Sequence, residues 1–118
     1  MSTYKKTFTK EMRIKDSEDI RNKNPNSIPV ICEKAPQSKI KELAKSKYLL
    51  KKSLNLSQFK EILRKKLEID STSALFLLVK GKITLVENDT FDKIYDKFKD
   101  DDGFLYIYYA SEEVWGNI

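Results

Sequence analysis

Seven consecutive residues near the end of the chain, Phe104-Leu105-Tyr106-Ile107-Tyr108-Tyr109-Ala110, are apolar or aromatic. A strand with one wet face alternates polar and apolar residues; this run does not, so both of its faces need cover. It predicts a central strand. Asp100-Asp101-Asp102-Gly103 ahead of it is a turn signal, and the short polar segment after it cannot extend a sheet. That segment ends at Gly116, with Asn117 and Ile118 beyond.

A chain of 118 residues predicts one domain with a real core, and 40% hydrophobic with 35% charged residues is a globular composition. The net charge of +5 conceals an asymmetry. Residues 1–66 hold 18 Lys/Arg against 7 Asp/Glu, and residues 67–118 hold 5 against 11. A basic half implies acidic partners or a solvated surface. Cys32 is the single cysteine, which excludes an internal disulfide and fits a reducing compartment. The absence of histidine removes the commonest general base and metal ligand. No catalytic residue, metal ligand or cofactor site is predicted. The first fifteen residues lack the apolar core of a signal peptide, and no apolar run approaches membrane-spanning length. Ser2 excludes a myristoylation start, and the terminus is not a prenylation box.

Taken in order, residues 4–24 predict two short helices capped by Thr7 or Thr9, with Phe8, Met12 and Ile20 as sparse apolar anchors. Asn24-Pro25-Asn26 ends them. Residues 28–32 predict a strand, with Cys32 as a small core residue. A basic connection over 34–46 leads to a second strand, 47–51, whose lysines suit an exposed edge. Leu56, Phe59, Ile62, Leu63 and Leu67 recur at helical spacing behind Asn55 or Ser57 as cap. A buried strand over 74–79, a shorter one over 83–86, and a helix carrying Phe91, Ile94, Tyr95 and Phe98 complete the set. A hairpin, a crossover helix and a last strand inserted centrally predict an α+β, ubiquitin-like β-grasp fold. Two additional N-terminal helices are the spare cover for the second sheet face.

Ile28-Pro29-Val30-Ile31-Cys32-Glu33-Lys34-Ala35, Lys47-Tyr48-Leu49, Gln58-Phe59, Ile62-Leu63-Arg64-Lys65-Lys66 and Asp102-Gly103-Phe104-Leu105-Tyr106-Ile107 stand in order along the chain. With them, nearly the whole chain, from Tyr4 to Gly116, resembles the autophagy ubiquitin-like modifiers, the autophagy-related protein 8 family that includes the GABA-receptor-associated protein. The resemblance divides the chain into an N-terminal helical extension (1–25), a β-grasp core (26–110), a mobile conjugation tail (111–116) and a removable extension (117–118). It implies that a processing cysteine protease cuts at Gly116–Asn117. Activating and conjugating enzymes would then join the carboxylate of Gly116 to phosphatidylethanolamine. Such a protein is expected to be cytoplasmic, with its lipidated form on autophagosome or other vesicle membranes.

The same resemblance implies a groove for receptor motifs of the form aromatic-x-x-aliphatic. Its aromatic pocket maps to Asp16, Ile20, Pro29, Ile31, Lys47, Leu49 and Phe104. Its aliphatic pocket maps to Tyr48, Leu50, Leu54, Phe59, Ile62 and Leu63. Lys45, Lys47 and Lys66 would meet acidic flanks. The chain departs from the family pattern at Ser27, Lys51, Ser57 and Trp115 and over residues 81–88; Lys51 puts a charge on the rim of the second pocket. Two rival classes remain on the sequence alone: an unconjugated ubiquitin-like adaptor, and a small RNA-binding domain suggested by the basic charge and the aromatic last strand. Against the latter, three aspartates precede that strand where a phosphate would need a cation, so no nucleic-acid partner is expected.

Overall fold

The last strand does lie at the centre. In the structure, a computed structural model describing residues 2–80 and 83–112, β5 (Leu105–Ala110) pairs in parallel with β1 (Ser27–Lys34) and antiparallel with β3 (Phe76–Val79). Outside these run β2 (Lys47–Lys51) and the two-residue β4 (Ile83–Thr84), giving the sheet order β2-β1-β5-β3-β4. Among the described residues there are four helices: α1 (Thr3–Thr7), α2 (Lys10–Lys23), α3 (Leu56–Leu67) and α4 (Phe91–Phe98). The strands over 74–79 and 83–86 are shorter than the sequence suggests. Ala74 is exposed and Leu75 lies ahead of the ladder, while Val86 is 62% exposed beyond β4.

The pleat sorts the core into two faces. Ile28, Val30 and Cys32 of β1, Tyr48 and Leu50 of β2, Leu77 and Val79 of β3, and Leu105, Ile107 and Tyr109 of β5 point to one side. There α3 and α4 lay Leu56, Phe59, Leu63, Leu67, Phe91 and Ile94 against them. Each such side chain, fully buried, contributes about 1.5–3 kcal/mol. The start of α3 is set by a capping box: Asn55 accepts from the Gln58 N–H, and Gln58 accepts from the Asn55 N–H, both at 2.9 Å. Pro29 is tolerated in an interior strand because parallel pairing with β5 begins one residue later, at Val30↔Leu105.

The opposite face is covered around Ile31 and Phe104 by the N-terminal helices, though not as the sequence suggests. Of the three expected anchors only Ile20 packs; Met12 is 54% exposed, and Phe8 is 37% exposed even with its ring 4.9 Å from that of Tyr4. Helix α2 has no apolar stripe, and Ser17 is its one buried residue. Apart from Ile20, its attachment is polar. Ser17 Oγ donates to the Asp102 carbonyl at 2.5 Å, and Arg13 Nε donates to Asp102 Oδ2 at 2.8 Å. Arg13 also donates to the Phe8 carbonyl at 2.6 Å. The Asp102 carboxylate, fully buried, further accepts from Tyr106 OH at 2.5 Å and from the Phe104 N–H at 2.9 Å. Gly103 beside it has φ +91°, and a Cβ there would strike Ser17 Oγ, so glycine is required twice over.

Tyr4 is an apolar anchor that the sequence reading misses. Its ring packs edge-on against Phe104 at 5.3 Å and covers Ile31 and Phe104. Cys32 is fully buried in the main core, and burial, then the nearby Glu33 charge, pushes its thiol above the ordinary range. The folded protein should therefore resist iodoacetamide and become labelled only in denaturant. Rapid labelling of the native chain, read by intact mass, would contradict this packing.

Candidate functional site

Of the two edge strands, β2 is the longer, and its backbone is phased for adding a strand. Cys32 N–H donates to the Ser46 carbonyl at 2.8 Å, and Lys52 N–H donates to the Asn26 carbonyl at 3.0 Å. With the register Val30↔Tyr48 and Ile28↔Leu50, this alternation turns the backbone groups of Tyr48 and Leu50 inward to β1. Those of Lys47, Leu49 and Lys51 turn to the open edge. Pro29, lacking an N–H, stands opposite Leu49 at a pair that needs no bond from it.

Side chains alternate in the other sense and divide the predicted groove between the two sheet faces. On the α2 face the structure gathers all seven residues of the aromatic-pocket set. Ile31 and Phe104 form its buried floor beneath Tyr4; Pro29 is buried, Ile20 half-buried, and Leu49 46% exposed. Lys47 Nζ donates to Asp16 Oδ2 at 2.8 Å, joining β2 to α2 across the rim. Tyr4 OH donates to the same oxygen at 2.9 Å. Burial alone would raise the Asp16 pKa, but the hydrogen bonds from Lys47 and Tyr4 and the Lys47 charge hold it below the usual carboxylate range. Burial, then the Asp16 hydrogen bond and charge, pushes the Tyr4 hydroxyl up. Tyr4 is thus a member of this site that sequence reasoning does not name. Its helical spacing to Phe8 is the signal available.

On the α3 face the aliphatic-pocket residues are mostly core. Phe59 and Leu63 are fully buried, Leu50 is 7% exposed, and Tyr48 is 8% exposed with its hydroxyl pushed up to about 12 by burial. Leu54 is half-buried and Ile62 is 37% exposed, so these two form the surface between β2 and α3. Lys45 and Lys66 place their ammonium groups 5.6 and 5.8 Å from the Tyr48 ring centroid. Among the described residues neither forms a salt bridge. The β2 edge thus carries half-exposed Leu49 on one face, Leu54 and Ile62 beside the other, and the cations of Lys45, Lys47 and Lys66 close by.

The charge asymmetry is compensated in part within the domain. Four of the six ion pairs among the described residues join the basic first half to the acidic second: Lys5–Asp100, Arg13–Asp102, Lys41–Glu68 and Lys60–Glu87. Asp100 and Asp102, ahead of β5, face the N-terminal helices. The tail residues Trp115, Gly116 and Asn117 lie outside the described residues.

A five-stranded mixed sheet with a parallel central pair, a long helix crossing one face and a hairpin at each edge defines a ubiquitin-like domain. Comparison with known proteins narrows the class. The family model described as Autophagy protein Atg8 ubiquitin like matches residues 12–116. Autophagy-related protein 8a of Arabidopsis thaliana is 37% identical over 117 residues, spanning 99% of this chain and 95% of that protein. Autophagy-related protein 8 of Schizosaccharomyces pombe is also 37% identical over 117 residues, spanning 99% and 96%. The crystal structure of Trypanosoma brucei ATG8 superposes with a TM-score of 0.89 at 38% identity, covering 98% of this chain and 99% of that one. The chain belongs to the Atg8 family of ubiquitin-like autophagy proteins.

Proposed function

We infer that this protein is a lipid-conjugated modifier that also serves as a docking platform for autophagy receptors. The supporting observation for conjugation is that the family match runs through to Gly116, with Asn117-Ile118 beyond it. A cysteine protease removes those two residues, and activating and conjugating enzymes pass the Gly116 carboxyl to the amine of phosphatidylethanolamine. Among the described residues no helix is long and apolar enough to cross a membrane. A lipid with two acyl chains supplies firm attachment, where one chain of myristoyl length binds only marginally. The protein is acted upon and is not itself the enzyme. It is cytoplasmic before conjugation and on autophagosome or other vesicle membranes after it.

The test is reconstitution with the family's processing, activating and conjugating enzymes on vesicles containing phosphatidylethanolamine. The full chain is expected to be conjugated only when the protease is present, and a chain ending at Gly116 without it. No conjugate from either would overturn the assignment.

Receptor docking uses the β2 edge. A short extended peptide adds a strand there, with an aromatic side chain toward Lys47 and Leu49 and an aliphatic one toward Leu54 and Ile62. Acidic flanks meet Lys45, Lys47 and Lys66. Changing Lys47→Ala together with Leu49→Ala should weaken a Trp-x-x-Leu peptide more than about tenfold, or ~1.4 kcal/mol. Titration calorimetry showing equal affinity would remove the groove from the proposal.

A further inference from the structure

Beyond β5 the chain remains fastened to the domain for two more residues. Ser38, in the turn after β1, donates its hydroxyl to Glu112 Oε1. The Lys39 N–H donates to Glu112 Oε2 at 3.4 Å, and Ser111 Oγ donates to Oε1 at 3.1 Å. Ser38 Oγ in turn accepts from the N–H groups of Ser111 and Ile40, each at 3.3 Å. The turn itself is rigidly held. Ala35 N–H donates to the Tyr109 carbonyl at 2.9 Å, and Lys34 Nζ reaches the carbonyls of Ala35 at 3.1 Å and Ser38 at 2.8 Å. Ser38 is 5% exposed, whereas Glu112 is half-buried at the surface. The sheet does not need these bonds, because β5 pairing ends at Tyr109↔Lys34 on one side and at Ala110↔Phe76 on the other.

We propose that the Ser38–Glu112 contact is a latch that positions the root of the C-terminal tail for the enzymes that take up Gly116, with Ser38 and Glu112 as positioning residues of that reaction. The proposal rests on the conjugation reading. With the latch closed, the tether from Glu112 to Gly116 spans at most about 14 Å when fully extended. With it open, the tether runs from Ala110 and spans about 21 Å. The shorter covalent reach keeps Gly116 within a smaller volume around the exit point at Glu112, so an enzyme meets it at a higher effective concentration. Binding is therefore the step the latch favours, and the chemistry at the Gly116 carbonyl is untouched. The hydrogen bond from Ser38, with that from Lys39, also holds Glu112 below the usual carboxylate range, so it stays ionised and bonded in mild acid.

The experiment is steady-state cleavage of the full chain at Gly116–Asn117 by the family's processing cysteine protease. Four proteins are compared: wild type, Ser38→Ala, Glu112→Ala and the double variant. Each single change should raise KM about fivefold with kcat unchanged. The double variant should fall short of the product of the singles, because both break the shared Ser38–Glu112 bond, although each also loses bonds of its own. Unchanged KM in either single variant, or a double effect equal to the product of the singles, would overturn the latch. Glu112→Ala alters a surface group, so it keeps the test decisive if loss of the buried Ser38 hydroxyl impairs folding; hydrogen exchange at the Lys39 amide should then quicken in it. Wild type that is not cut after Gly116 would instead overturn the conjugation reading, and the role of the latch with it.

Discussion

Replacing Gly116 with alanine should lower conjugation to phosphatidylethanolamine about a hundredfold or more, because misplacing a reacting centre by about 1 Å already costs that much. The reason is steric. On the proposed route, one carbonyl is approached by the thiols of the protease, the activating enzyme and the conjugating enzyme, and then by a lipid amine. Each approach passes the α-carbon, where glycine has no side chain. A methyl group there obstructs every step in turn, so the losses compound. A Gly116→Ala chain made without Asn117 and Ile118 separates the effects: if cleavage alone were impaired, this form would conjugate normally. It is expected to remain unconjugated in gel-shift and mass analysis.

The second large effect concerns the N-terminal helices. Asp102→Ala should destabilise the fold by about 3–5 kcal/mol, the usual cost of breaking a buried charge pair by removing one partner. Arg13, 11% exposed at its side chain, would lose its partner, as would Tyr106 OH and the Phe104 N–H. Urea unfolding should report the loss, and hydrogen exchange should show α2 amides among the first to lose protection. An unchanged midpoint and unchanged α2 protection would contradict the clamp. Acid should act in the same direction. Asp16 and Asp100 are both held below the usual aspartate range: for each, burial opposes ionisation but hydrogen bonds and charge, from Lys47 and Tyr4 and from Lys5 respectively, outweigh it. A carboxylate with a lowered folded pKa contributes stability that is fully present above its unfolded value, about 3.9, and fades as pH falls through the folded one. Docking of the helices should therefore weaken in acid below about pH 4 and be indifferent to mild base.

The sheet is legible in the sequence because its signals are local. Unbroken apolar runs mark β1 and β5 as buried on both faces, and the Leu56–Leu67 periodicity marks α3. Lysines at both ends of 47–51 mark β2 as an edge. The attachment of α2 is not legible, because it has no apolar period; it depends on Arg13 and Ser17 meeting Asp102, which lies 85 residues beyond Ser17. Ser17 gives no hint of burial in its own neighbourhood. For the same reason Phe8 and Met12 read as anchors although they stay exposed, while Tyr4 does not. In the groove, alternation along β2 is enough to place Leu49 and Leu50 on opposite faces. That Leu50, Phe59 and Leu63 are nearly closed off, leaving Leu54 and Ile62 at the surface, depends on how closely α3 lies against the sheet. The latch joins Ser38 to Glu112 across 74 residues, and neither residue stands out in its local sequence.

Intact-mass measurement of the protein recovered from autophagy-induced cells tests the central claim most directly. The expected product lacks Asn117-Ile118 and, in the membrane fraction, carries phosphatidylethanolamine on the Gly116 carboxyl. A protein found only at full length and unmodified, in membranes and cytosol alike, would contradict it.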